Sequence, residues 1–284
     1  MQAAVASSSE PLTVRARDGA RLAVDLVLPK SRATAAILIA PAMGVKRSFY
    51  EPFARSLADG GAIVMTLDYR GIGGSKDAAT RKTRLHDWAE LDLAGAIDHL
   101  RREYPKLPLR YFGHSVGGQL FGLLQDAPIE RAMFAASQSG YWGHWDGVSR
   151  AIMGALWFAA VPTFVSALGK LPMKALGQGE DIPGGVGREW AEWGRQPRYI
   201  GTYADTRPKC FFSTYEGPLV AYAIEDDNYA PRRAVQGLLT EFRSTEGELR
   251  FVRPMDIGQA SIGHFGALKK PGLWPSMQRF LLSE

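Results

Sequence analysis

Residues 12–29, LTVRARDGARLAVDLVLP, alternate apolar and polar positions on both sides of Asp18-Gly19. A period of two around an Asp-Gly pair predicts two antiparallel strands joined by a hairpin. AAILIA (35–40) is instead a continuous apolar run, the pattern of a strand buried on both faces. From Ser48 the period changes: Phe49, Phe53 and Leu57 are spaced by four, with Ser48 and Glu51 at capping-box spacing, so a helix follows. AIVMTLDYRG (62–71) is the next strand, HDWAELDLAGAIDHLRREY (86–104) the next helix and LRYFGH (109–114) the next strand. VGGQLFGLLQD and RAMFAAS continue the alternation. This order predicts an α/β fold, a mainly parallel sheet with helices on both faces.

After Ser139 the rhythm stops. Residues 140–206 hold five of the seven tryptophans, Trp142, Trp145, Trp157, Trp190 and Trp193, with Pro162, Pro172 and Pro183 between helical pieces and no strand signal. The alternation resumes with GPLVAYAIEDD (217–227) as strand, RRAVQGLLTEFRS as helix, GELRFVRPM as strand and PSMQRFLLS as a closing helix. The expected organisation is a core of residues 1–139 and 207–284 with a helical cap, 140–206, inserted between two halves of one sheet. Within the cap, AIMGALWFAAVPTFVSALG (151–169) is uncharged and nearly long enough to span a bilayer. Pro162 at its middle and its place inside an α/β pattern favour a buried or interfacial helix pair over a membrane span. So much apolar surface has to cover something. Trp157 and Phe158 are therefore expected to line a substrate pocket.

Composition narrows the classes. With 46% hydrophobic and 22% charged residues, the 284-residue chain is ordinary globular material. A formal charge of +5 is spread over scattered Lys and Arg, which gives no nucleic-acid footprint. The single cysteine, Cys210, excludes an intrachain disulfide and a cysteine-built metal site. No metal is expected. Residues 1–10 read as a loose polar tail without the basic and apolar regions of a secretory signal, so a cytoplasmic location is expected.

Candidate chemistry centres on RYFGHSVGGQL (110–120), where Gly113 and Gly117 bracket Ser115 at a strand-to-helix change. G-x-S-x-G marks a nucleophile elbow: the serine takes a strained conformation, and the glycines make room for the crossing chain. An activated serine needs a base and an acid to orient it, in chain order Ser, Asp or Glu, His for such a fold. Of five histidines only His264, in ASIGHFGAL, follows the last strand. His86 and His99 fall on a helix, His114 within the elbow and His144 at the start of the cap. In AIEDDNYAP, Asp226 and Asp227 both fit the acid by position, and their side chains point to opposite sides, so only one reaches the histidine.

These pieces, GHSVGG, DYRGIGGS (68–75), EDDNYAP and GHFG in this order, resemble the α/β-hydrolase superfamily over nearly the full chain. LGQGEDIPGGVGREWAEW (176–193) is similar to the cap of a set of bacterial hydrolases, of the esterase or serine aminopeptidase-like type. The resemblance implies serine hydrolase chemistry on a small-molecule acyl substrate, with no metal or organic cofactor. It supports Asp227 as the acid, four residues before Pro231. It also implies an oxyanion hole from the backbone N–H groups of Met43 and Val116. Here the sequence departs from many relatives, having APAMGV where they carry His-Gly. Backbone donors do not depend on side-chain identity. An aminopeptidase, using Glu180 or Asp181 to hold an ammonium, an acyltransferase and a non-catalytic binding module remain the alternatives.

Overall fold

A computed structural model describes residues 8–283. Strands β1 (Ser8–Arg15), β2 (Arg21–Leu28), β3 (Ala35–Ala40), β4 (Ala62–Leu67), β5 (Leu109–His114), β6 (Ile129–Ala135), β9 (Leu219–Ile224) and β10 (Glu248–Val252) form one sheet in the order β1-β2-β4-β3-β5-β6-β9-β10. β1 and β2 pair antiparallel around Asp18-Gly19, and β2 is antiparallel to β4; the other pairs are parallel. Of the polar tail expected over residues 1–10, residues 8–10 belong instead to β1; residues 1–7 lie outside the described part.

Every residue of β3, β4, β5 and β9 is buried, as parallel strands covered on both faces require. Two apolar clusters result. One packs Tyr69, Trp88, Tyr111, Phe121 and Phe134 on one face; the other packs Tyr50, Phe53, Phe112 and Met277 on the opposite face. The loop after β4 is fastened by Arg70, whose guanidinium bonds to buried Asp92 (Nε to Oδ1, 2.7 Å) and to Asp18 in the hairpin turn (2.7 Å).

Between β6 and β9 the chain leaves the main sheet. Two-residue strands β7 (Lys170–Leu171) and β8 (Ile182–Pro183) pair antiparallel there, too short to leave a periodic signal in the sequence. Gly147–Leu168 is one helix rather than the expected pair, because a π turn at Leu156–Ala160 absorbs Pro162, which sits in the first turn of the following segment. It is apolar and long enough to cross a membrane by length and composition, yet only 17% of its apolar 18-residue stretch is buried. Trp157, Val161 and Val165, spaced by four, face inward, while Ile152 (60% exposed) and Leu168 (53%) face out. The helix Gly184–Gly194 ties this region to the core. Its buried Glu189 accepts hydrogen bonds from the His86 backbone (2.9 Å) and faces His86 Nδ1 at 2.7 Å.

Candidate active site

Ser115 stands between β5 and the helix Val116–Phe121 at φ 52°, ψ −116°, a conformation that L side chains rarely adopt. The neighbouring glycines are required by contact. A Cβ on Gly117 would lie 2.1 Å from the Ala40 carbonyl oxygen, and one on Gly113 would lie 2.5 Å from Gly118 Cα. The turn thus brings the helix start against the end of β3. Met43 lies just beyond β3, its side chain in the core, and Val116 opens the helix; both are buried. Gly44, at φ 67°, accepts a hydrogen bond from Glu180 N (2.8 Å), which joins this loop to the region after β7.

The two adjacent aspartates after β9 separate by function of position. Asp227, fully buried at its side chain, accepts from Tyr229 N (2.8 Å) and Ala230 N (3.0 Å) on Oδ1 and faces His264 Nδ1 at 2.8 Å with Oδ2. An acceptor there assigns the Nδ1 proton to His264 and leaves Nε2 with a lone pair in the neutral ring. Asp226 points away and accepts from Ile262 N (2.8 Å) and Gly263 N (2.9 Å). Burial opposes its ionisation, but those two N–H donors outweigh it and hold its carboxyl below the ordinary range. One carboxylate thus holds the imidazole and the other holds the loop that carries it.

A relay behind the site escaped the sequence reading. Ala42 N donates to Tyr50 Oη (2.7 Å), Tyr50 Oη lies 2.8 Å from His114 Nδ1, and His114 Nε2 lies 3.0 Å from the His264 carbonyl. Since that carbonyl only accepts, His114 is the Nε2–H tautomer and the tyrosine donates to Nδ1. The chain links the loop after β3, the turn at Ser115 and the backbone of His264. No hydrogen bond joins Ser115 Oγ to His264 among the described residues.

His114 is fully buried, and burial, aided by repulsion from His264, pushes its pKa down to about 3. The unfolded value is about 6.5. A depressed folded value means full stability above pH 6.5 and progressive loss as pH falls towards 3. We expect about 2 kcal/mol of lost stability between pH 7 and pH 5 from this residue. Urea melts at both values should show that difference in wild type and a smaller one in His114→Gln.

The expected pocket residues fare unequally. Phe158 is 57% exposed, with Arg195 5.4 Å over its ring, so it does not line an enclosed pocket. It lies one position from the inward stripe and therefore faces outward. Trp157 is buried, but against Trp190 and Gly194, with its Nε1 donating to Gly140 O (2.9 Å). It fills the interior of its own region. Glu180 sits 3.7 Å from Lys46, and Asp181 pairs with Lys170 at 2.6 Å. Cys210 is buried. Among the described residues no group of three His, Cys, Asp or Glu is placed to hold a metal ion. A cavity of about 690 Å³ opens at the opposite, amino edge of the sheet beside Tyr104 and Arg110, with no serine, cysteine or histidine in its wall.

Sheet order, the strained serine turn and the loops gathered at the carboxyl edge define an α/β-hydrolase fold. A model of the family described as serine aminopeptidase, S33, matches residues 20–165, just over half of the chain, and the chain belongs to that family. No curated protein matches it. Among solved structures it is similar to DcsB in complex with its substrate analogue (14% identity, TM-score 0.68, covering 97% of this chain and 99% of that one). It is also similar to an esterase of Pyrococcus furiosus (16%, 0.65, 97% and 91%) and to a lipase in its open form (13%, 0.66, 96% and 98%). At these identities the likeness is one of fold.

Proposed function

We propose that the protein is a serine hydrolase that cleaves a carboxylic ester or related acyl compound through an acyl-enzyme on Ser115. The observation that carries this reading is the 2.8 Å contact of His264 Nδ1 with Asp227, at the same sheet edge as the strained Ser115 turn. His264 Nε2 takes the proton of Ser115 Oγ as that oxygen attacks the acyl carbon. The negative charge that develops on the carbonyl oxygen is met by the N–H groups of Met43 and Val116. His264 then gives its proton to the departing alkoxide, leaving an ester on Ser115. Water repeats the sequence and releases the acid. Asp227 accepts from Nδ1–H throughout and so holds the imidazolium in place. A Ser115–His264 hydrogen bond is expected to form when substrate binds, as such bonds often do. Residues 140–206 act as a cap over this edge.

The family description favours a second reading, aminopeptidase action, which needs a carboxylate for the substrate ammonium. Glu180 and Asp181 already face Lys46 and Lys170, so the ester reading stands first. Intact-mass analysis after fluorophosphonate treatment, followed by panels of nitrophenyl esters and aminoacyl anilides, tests both. One adduct mapping to Ser115 with ester turnover is expected; no adduct would overturn the reading, and anilide turnover without ester turnover would favour the second.

A further inference from the structure

A cleft of about 660 Å³ opens where the loop after β3, the helix Gly263–Lys269 and the segment after β7 meet. It adjoins the candidate site on two sides: Gly44 follows Met43, and Phe265 follows His264. Tyr229, whose ring lies 5.3 Å from that of His264, reaches Gln178 in the cleft wall (3.3 Å). The inner surface is apolar, with Phe49 set edge-on to Phe265 at 5.9 Å. Its charged side chains are Lys46, Lys174, Lys269 and Glu180.

These charges do not balance. Glu180 faces Lys46, which leaves two lysines without an ion-pair partner among the described residues. Lys269 rests over the Phe49 ring at 5.5 Å. Asp181 accepts from the Lys174 backbone N–H and is bonded to the Lys170 ammonium; the Lys174 charge acts on its carboxylate without forming an ion pair. A site with an apolar wall and uncompensated ammonium groups suits an organic anion: the wall takes a hydrocarbon stretch, and the ammoniums take its charged end. It repels the ammonium of an aminopeptidase substrate.

We propose that this cleft selects substrates carrying a carboxylate or phosphate-like group several bonds from the reacting carbonyl, held by Lys174 and Lys269. The inference rests on the hydrolase reading above. A matched pair separates charge from size: the 4-nitrophenyl monoester of adipic acid and its neutral methyl diester, with a phosphonate-terminated hexanoate ester as the phosphate-like arm. At low ionic strength the anionic-to-neutral ratio of kcat/KM should reach about fivefold per engaged lysine. It should fall towards one in about 1 M salt, where charges are screened beyond about 3 Å. Lys174→Met and Lys269→Met should each lower the ratio, and the double Lys→Glu variant should invert it. Whichever anionic arm has the higher ratio identifies the group. A ratio of one or less in wild type, or one that neither lysine substitution changes, would overturn the proposal. If that comes with Ser115 labelling and turnover of the neutral ester, the hydrolase reading survives; absence of both labelling and turnover removes both.

Discussion

Ser115→Ala is expected to reduce ester turnover by about 10⁶-fold, His264→Ala by a similar factor, and the double variant scarcely further. In the proposed mechanism the two groups perform one step. Without Oγ there is no nucleophile for the imidazole to activate, and without the imidazole the hydroxyl retains its proton. Residual activity then comes from backbone donors and binding alone. Ser115→Ala should fold, since Ser115 Oγ joins no hydrogen bond among the described residues, whereas His264→Ala removes one partner of buried Asp227, whose Oδ1 keeps its two backbone donors; circular dichroism checks that both variants are folded. The measurement is kcat/KM for wild type, both single variants and the double. Losses that multiply would mean that the residues act independently and would count against a shared proton transfer.

Asp227→Asn should cost on the order of 10⁴ in kcat, far more than Asp226→Asn. Oδ1 of Asp227 is already occupied by two backbone N–H groups, so an asparagine would keep its carbonyl there and turn its NH₂ towards His264. The ring would then have to accept at Nδ1, and the proton would move to Nε2, where it blocks the base function. At Asp226 the partners are the N–H groups of Ile262 and Gly263, and an amide oxygen can still accept from one of them. A loss of about tenfold is expected from the loosened base loop. Stopped assays of both variants over several pH values decide the matter: equal effects, or a larger one at Asp226, would reverse the roles assigned to this pair.

The sheet was legible because its signals are local. LRYFGH gives β5 at its observed limits, since a short run rich in aromatic and aliphatic residues stands between Pro108 and the glycine-flanked Ser115. The serine, both aspartates and His264 were legible for the same reason, each lying at the end of a strong strand or in a glycine-flanked loop. What the sequence hid was contact across distance. Tyr50 meets His114 over 64 positions, and His114 meets the His264 carbonyl over 150, and neither residue type nor spacing announces such a pairing. Phe158 was misplaced for another reason. A helix apolar on all sides carries no phase information, so the inward stripe of Trp157, Val161 and Val165 could be identified only once its packing was known.

The backbone at Ser115 sets stability against selection. At φ 52°, ψ −116° any residue with a Cβ is strained, and only glycine relaxes there, by about 1 kcal/mol after its own entropic cost. Ser115→Gly should therefore yield an inactive protein that melts roughly 2 °C higher than wild type. Ser115→Ala, which retains the Cβ, should not gain in this way. A screen for thermostability alone would thus enrich the loss of the Ser115 hydroxyl. Strain of this kind does not by itself mark chemistry, since Tyr199 stands at φ 52°, ψ −124° with no place in the candidate site; what the proposed mechanism requires at Ser115 is a hydroxyl that the relaxed glycine could not supply.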